Sequence, residues 1–257
     1  MSSTRTPTTP ADRWTPTEIA TLLASLEPLA DPETPGCAVS VRDRRVELTL
    51  DPPSDPPAHH ALVRAGRLVG AVENALRSLG WAPRTVIAAT AGERPLAAIT
   101  ATRRRPASPM DLARRRVARG PGDGATPRYA GTADMATVVD VVHGAATRGA
   151  WLHLLNGPTR QGLPAWHTPG EVPADTLGLD ISWRRHPVLA VCTHADGVRD
   201  AVIAGIVAER ATVEAALHGL RAEVHTAVFD DGAVRDAALR AAEPEHGVGH
   251  AAIRLHP

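Results

Sequence analysis

One stretch of the chain returns 141 residues later. Val72-Glu73-x-Ala75-Leu76-x-x-Leu79 recurs as Val213-Glu214-x-Ala216-Leu217-x-x-Leu220, and the pairs Thr85/Thr226 and Arg94/Arg235 keep the same offset. A repeat governs the fold reading before anything else, and a period this long is not that of a solenoid. It predicts two halves, each carrying the same helix, strand and following helix. The competing reading is a coincidence between two apolar helices in a chain rich in Ala, Leu and Val. One register running from the helix into the next strand favours duplication.

Whether such halves can bury a core is a question of composition. Of 257 residues, 43 % are hydrophobic, enough for packed domains and too many for a disordered chain. Aromatics are scarce, with one Phe (Phe229), one Tyr (Tyr129) and five Trp, so the core is filled by Val, Leu, Ile and Ala. All 28 basic residues are arginine. Schiff-base chemistry, a P-loop lysine and a Ser-Lys pair are therefore excluded. Any anion must be held by arginine forks or backbone N–H groups. A formal charge of zero argues against general nucleic-acid binding, although Arg103-Arg104-Arg105 and Arg114-Arg115-Arg116 are locally dense. Cys37 and Cys192 are isolated and form no metal motif or disulfide framework. Residues 1–13 are polar, without a signal peptide, and no apolar run reaches the length of a membrane span. The expectation is a cytoplasmic protein.

Along the chain, residues 1–13 read as a disordered tail. Thr15-Pro16-Thr17-Glu18 starts a helix with a capping box. Cys37–Val41 and Val46–Leu50 alternate across a short turn and predict a hairpin. A long helix over His59–Leu79, ended by Gly80, is apolar at Leu62, Val69, Val72, Leu76 and Leu79, with Ala and Gly on its other face. Such a helix is central rather than peripheral. Thr85–Ala89 reads as a strand, Pro95–Ala101 as a short helix and Met110–Arg119 as a basic helix. Ala133–Gly149 suits a helix, though its Val run is also compatible with a strand. Trp151–Leu155 is a strand, and residues 156–186 form a loop-rich insert containing Trp166 and Trp183. Then follow strand Val188–Cys192, helix Val198–Leu220, strand Glu223–Phe229, helix Asp231–Ala241 and strand Gly249–Leu255. The domain reading is a first half over 14–109 and a second half over 110–257.

The twelve histidines offer no metal spacing. His246 and His250 are separated by glycines and a turn. His59 and His60 are adjacent at a helix start and point apart. His218 and His225 stand where the first repeat has Arg77 and Arg84, which marks exposed positions. With no His-x-x-x-His on a helix and no Cys pair, no metal site is expected. There is no Gly-x-Ser-x-Gly elbow. Asp230-Asp231-Gly232 reads as a helix cap. His194-Ala195-Asp196 lies at a strand-to-helix transition, a place where sites gather, and reads also as a solvated cap.

Several segments together resemble the Acg-type nitroreductase family, actinobacterial FMN-binding proteins. The match runs from the capped helix through the Val46-Glu47-Leu48-Thr49-Leu50-Asp51 strand and the Pro-rich loop. It continues through the long helix ending Leu79-Gly80-Trp81-Ala82-Pro83 and the Arg-rich text after Ala98-Ile99. It closes with His186-Pro187-Val188-Leu189-Ala190-Val191 and a terminal strand over 249–255. The resemblance covers roughly residues 14–257, more thinly over 110–185. It implies a nitroreductase-like α+β fold, layered sheet and helices, with two related halves about a pseudo-twofold axis. It implies FMN between the halves, with its phosphate held by Arg103, Arg104 and Arg105 through bidentate hydrogen bonds. The alternative role for those three is a solvated basic turn.

The chain departs from the family at its first flavin motif. Where the family has Ser, Asn, Gln and Trp, this chain has Asp31-Pro32-Glu33-Thr34-Pro35-Gly36-Cys37-Ala38-Val39. Two readings follow. One is an FMN protein in NAD(P)H-linked redox, biosynthetic oxidation or flavin storage, with no side-chain nucleophile because the flavin carries the chemistry. The other is a flavin-free pseudoenzyme acting as a binding or regulatory partner. Either acts on a flavin or small molecule, as a pseudo-dimeric monomer or a homodimer, away from nucleic acid and membrane.

Overall fold

The computed structural model describes residues 13–29, 37–50, 57–90, 92–119, 133–156, 186–226 and 247–257. Helix α1 (Pro16–Leu26) opens with the expected box: Glu18 N donates to Thr15 Oγ1 at 3.2 Å, and Thr15 N donates to the Glu18 carboxylate at 2.8 Å. Strands β1 (Cys37–Arg42) and β2 (Arg45–Leu50) form the hairpin, turning through Asp43 and Arg44, both at positive φ. Next come α2 (His59–Ser78), β3 (Trp81–Ile87), β4 (Ala97–Arg104), α3 (Pro109–Ala118) and α4 (Met135–Ala145). The chain continues through β5 (Ala150–Asn156), β6 (Val188–Thr193), α5 (Val198–Leu217), β7 (Arg221–His225) and β8 (Val248–His256). The class is mixed α+β.

Two antiparallel sheets carry the same order, β1-β2-β4-β3 and β5-β6-β8-β7. Each follows a helix, two strands, a long helix and two strands. On the first sheet, Val46, Leu48, Ala97 and Ile99 pack with Leu68, Val69, Val72 and Leu76 of α2. On the second, Leu189, Val191, Ile253 and Leu255 pack with Val202, Val207, Ala208 and Ala211 of α5. The helices also trade side chains: Leu62 and Val63 of α2 belong to the second core, and Ile206 of α5 to the first. Helices shared in this way are apolar over most of their surface, and their charged residues, Arg67, Arg77 and Arg210 among them, stay partly exposed.

Gly66 and Gly205 meet at the crossing of α2 and α5. A Cβ on Gly66 would run into the carbonyl of Val202 and lie 2.8 Å from Gly205 Cα, and a Cβ on Gly205 would run into the carbonyl of Val63. Backbone stands against backbone, so no side chain can yield. Both helices then end alike. Gly80 and Gly219 take positive φ just beyond them, Leu79 N and His218 N donate to Ala75 O and Glu214 O, and Gly80 N and Gly219 N donate to Arg77 O and Ala216 O.

Gly66 faces Gly205, Gly80 answers Gly219, and Val63 answers Val202: the structural offset is 139 positions. It persists into the next strand, where Thr85 sits opposite Ile99 and Val224 opposite Ile253. The spacing of 141 read from Val72–Leu79 and Val213–Leu220 is a different register from the 139 of these contacts. Two residues turn a helix by about 200°, so the two registers match different faces.

The segment Pro95–Ala101, expected as a short helix, is instead the start of β4. Ala97, Ala98, Ile99 and Ala101 are buried in a central strand between β2 and β3. A seven-residue helix has little stability of its own, and forming one would strip both neighbours of their ladder. Strand β3 begins at Trp81, earlier than Thr85; Pro83 is accommodated because β3 is an edge strand with a register shift between Ala82 and Pro83. Helix α5 stops at Leu217, three residues short of expectation, and β7 at His225. The helix expected at Asp231–Ala241, most of the insert at 156–186 and most of the tail lie outside the described residues. No helix among the described residues is long and apolar enough to cross a membrane.

Substituting Gly205→Val should lower the unfolding free energy by about 3 kcal/mol, the upper part of the usual overpacking range. Gly92→Val, where nothing lies within 4 Å of the place a Cβ would take, should change it little. Urea unfolding of both variants checks the assignment of the crossing.

Candidate functional site

The three arginines expected at a phosphate do not converge. Arg103 and Arg104 are the last residues of β4, paired with Ala82 and Trp81, and Arg105 N donates to Gly80 O. Neighbours on an extended strand point to opposite faces. Arg104 stacks 3.7 Å above the centroid of the Trp81 ring and gives Nη2 to Glu18 at 2.7 Å and Nη1 to Leu79 O at 3.0 Å. Trp81 Nε1 donates to the same Glu18 oxygen at 2.8 Å. Arg105 is bound to Asp111 in the first turn of α3, at 3.0 Å. Arg103 is exposed. Two of the three thus fasten α1 and α3 to the first sheet.

Convergence occurs elsewhere, along the C-terminal halves of α2 and α5. A cavity of about 180 Å³ is lined by Asn74, Arg77, Arg114, Arg210, Glu209 and Glu214, among others. Arg77, one turn after Glu73, pairs with it at 2.8 Å, and Arg210 reaches the same oxygen from α5 at 3.0 Å. Arg114 of α3 holds Glu214 at 2.7 Å, and Arg67 holds Glu209 at 3.2 Å. Gly144 of α4 leaves space for Glu214, whose carboxyl carbon would lie 2.8 Å from a Cβ there. Three helices, α2, α3 and α5, therefore place charge on one seam, and α4 makes room for it.

The carboxyls of this seam are driven in opposite directions. Burial opposes the charged form of Glu73, but Arg77, the Thr85 hydroxyl at 2.6 Å and Arg210 outweigh it, so its pKa lies below the ordinary value. Burial dominates at Glu209 and raises its pKa, with Arg67 only partly opposing. One acid is thus secured as a carboxylate while its neighbour is pushed toward neutrality, an arrangement common where sites are built. Burial also raises the thiols, Cys37 to about 11 and Cys192 to about 12, which makes both inert as nucleophiles.

Glu73 and Glu214 were not singled out from the sequence, although both stand in the Val-Glu strings at 72–73 and 213–214. A carboxylate fixed within an apolar helix is the signal that marks this seam, but its arginine partners needed the fold. A second group was harder to read: His59, Asp196 and His250 are brought together from three distant segments. Asp230, Asp231, His246, Trp166 and Trp183 lie outside the described residues. Set against known proteins, the chain matches no family model and no curated protein.

Because Glu209 titrates at higher pH folded than unfolded, the native protein loses stability as pH rises from the unfolded carboxylate range through the folded value. Glu209→Gln abolishes that loss. The variant should gain on the wild type in unfolding free energy as pH is raised from about 4 to 7. Urea titrations across that range giving a constant difference would mean that Glu209 has no raised pKa.

Proposed function

We propose that the chain is a flavin-free binding protein built from two related halves, with a small polar ligand, carrying a carboxylate or phosphate, held in the seam cleft. The observation carrying this reading is the convergence of Arg77, Arg114, Arg210 and Asn74 on one cavity from α2, α3 and α5. A guanidinium has five N–H donors in a fork suited to such groups. Among the described residues, each of the three lining arginines uses one nitrogen for its glutamate. A volume of about 180 Å³ suits a ligand smaller than those of typical cofactor pockets, which span roughly 300–1,000 Å³. The matching sheet orders and the 139-residue spacing of the helix contacts support the duplication, and the cleft lies along the contact of α2 with α5.

The nitroreductase-like reading, with FMN between the halves, rests on the sequence resemblance and on the central helical pair. It requires the phosphate to draw Arg104 from Glu18 and Arg105 from Asp111. The replaced amide motif over 31–39 supports the flavin-free reading.

Two measurements separate them. Protein mixed with FMN and passed through gel filtration should elute colourless; a co-eluting flavin spectrum would establish the flavoprotein instead. Thermal melting with inorganic phosphate and with small mono- and dicarboxylates should then reveal the ligand class. A binder at a hundredfold excess over its Kd should raise the midpoint by about 5–10 °C. Asn74→Leu, which leaves every ion pair in place, should remove that shift without lowering the midpoint of the unliganded protein. A shift that survives Asn74→Leu places the ligand outside the cleft.

A further inference from the structure

At the N-terminal ends of the same two helices lies a second constellation. One ring nitrogen each from His59 and His250 and one carboxylate oxygen from Asp196 lie within 4.8 Å of one another. His59 is the first residue of α2, Asp196 sits in the β6–α5 loop, and His250 is on β8. The two imidazoles are stacked, with centroids 5.0 Å apart and planes 15° from parallel. We infer that these three residues form a site for a divalent transition-metal ion, with zinc as the reference ion.

The hydrogen bonds around the rings set them up for this. Thr193 Oγ1 lies 2.6 Å from Ala195 O and 2.6 Å from His250 Nε2. A carbonyl only accepts, so the single hydroxyl proton of Thr193 goes to Ala195, and the hydroxyl oxygen must accept from His250 Nε2–H. The neutral ring then carries its lone pair on Nδ1. His59 Nε2 faces the carbonyl of His250 at 3.2 Å, and by the same logic donates there. Its lone pair also falls on Nδ1. Fixing the tautomer through the far nitrogen is how metal-binding imidazoles are oriented. His250 and Thr193 are fully buried, so this half of the site is rigid.

Two imidazoles and one carboxylate are the donor set of open zinc sites and of facial-triad iron sites, which leave positions for water or substrate. Asp196 is exposed, so the open side faces solvent. Ligand atoms about 2.1 Å from a tetrahedral ion lie about 3.4 Å apart. Closing the group from within 4.8 Å to that size requires Asp196, on an exposed loop, and His59, in the first turn of α2, to shift inward. The positive end of the α2 dipole works against a cation, and the Asp196 charge answers it. His194, two residues before Asp196, packs its ring on Trp151 at 4.6 Å and stands apart from the three. The ion would tie α2 of the first half to the sheet of the second.

Tag-free protein stripped with a chelator should bind about one equivalent of Zn²⁺ per chain in equilibrium dialysis at micromolar metal, and Co²⁺ in its place should give visible ligand-field bands. His59→Gln and Asp196→Asn lie at accessible positions and should each weaken Zn²⁺ binding by at least about tenfold. Thr193→Val, which removes the acceptor for His250 Nε2–H together with the hydroxyl's bond to Ala195 O, should weaken it by about tenfold. His218→Ala, at an exposed histidine, should leave it unchanged. Failure of the wild type to bind Zn²⁺ at micromolar concentration overturns the inference. So does binding that persists through both His59→Gln and Asp196→Asn, or that disappears in His218→Ala.

Discussion

Everything in the molecule is hung on the contact between Gly66 and Gly205. With no side chain between them, α2 and α5 approach to backbone contact, and each helix reaches into the other's hydrophobic core. Packing density makes such a contact intolerant, because a displaced carbonyl shifts its whole helix. The same proximity brings Arg210 of α5 to Glu73 of α2, and Arg67 of α2 to Glu209 of α5. It also sets the N-terminus of α2 beside β8, where His59 meets His250. Cleft and histidine cluster are thus two consequences of one crossing, on either side of it.

Stability alone does not account for the polar seam. Replacing buried ion pairs with apolar residues is commonly neutral or favourable, because desolvation offsets most of the Coulombic gain. Here one arginine pair converges on an acid held ionised, while burial drives the next acid toward its neutral form. Charge of both signs is concentrated around a cavity rather than spread as surface pairs, which contribute little. That distribution is the support for the proposed binding cleft, in contrast to the fastening of α1 and α3 by Arg104 and Arg105. Those two arginines each grip an acid whose burial opposes ionisation, but whose N-cap hydrogen bonds and arginine partner together outweigh it: Glu18 and Asp111.

Local signals in the chain were dependable where one element satisfied itself. Thr15 and Glu18 close their own box, Gly80 ends its own helix, and the Cys37–Leu50 hairpin is a local pairing. Elements stabilised by their neighbours were not. Ala97–Ala101 carries helix-forming alanines, and it becomes a strand because β2 and β3 flank it on both sides. Val-Glu-x-Ala-Leu recurs as a string at a spacing of 141, whereas the glycines that meet at the crossing, Gly66 and Gly205, lie 139 apart.

The sequence by itself determined the α+β class, the capped and apolar central helices and the absence of lysine chemistry. Those properties reside in single residues or in periodicities of a few residues, which the chain displays directly. Tertiary structure alone decided which arginines meet Glu73 and Glu214, that Arg104 and Arg105 serve α1 and α3, and that His59, Asp196 and His250 share one place. Arg210 lies 137 positions from Glu73, and His250 lies 191 from His59. No spacing rule spans such separations, because the distances are set by where two helices cross and not by the chain between them.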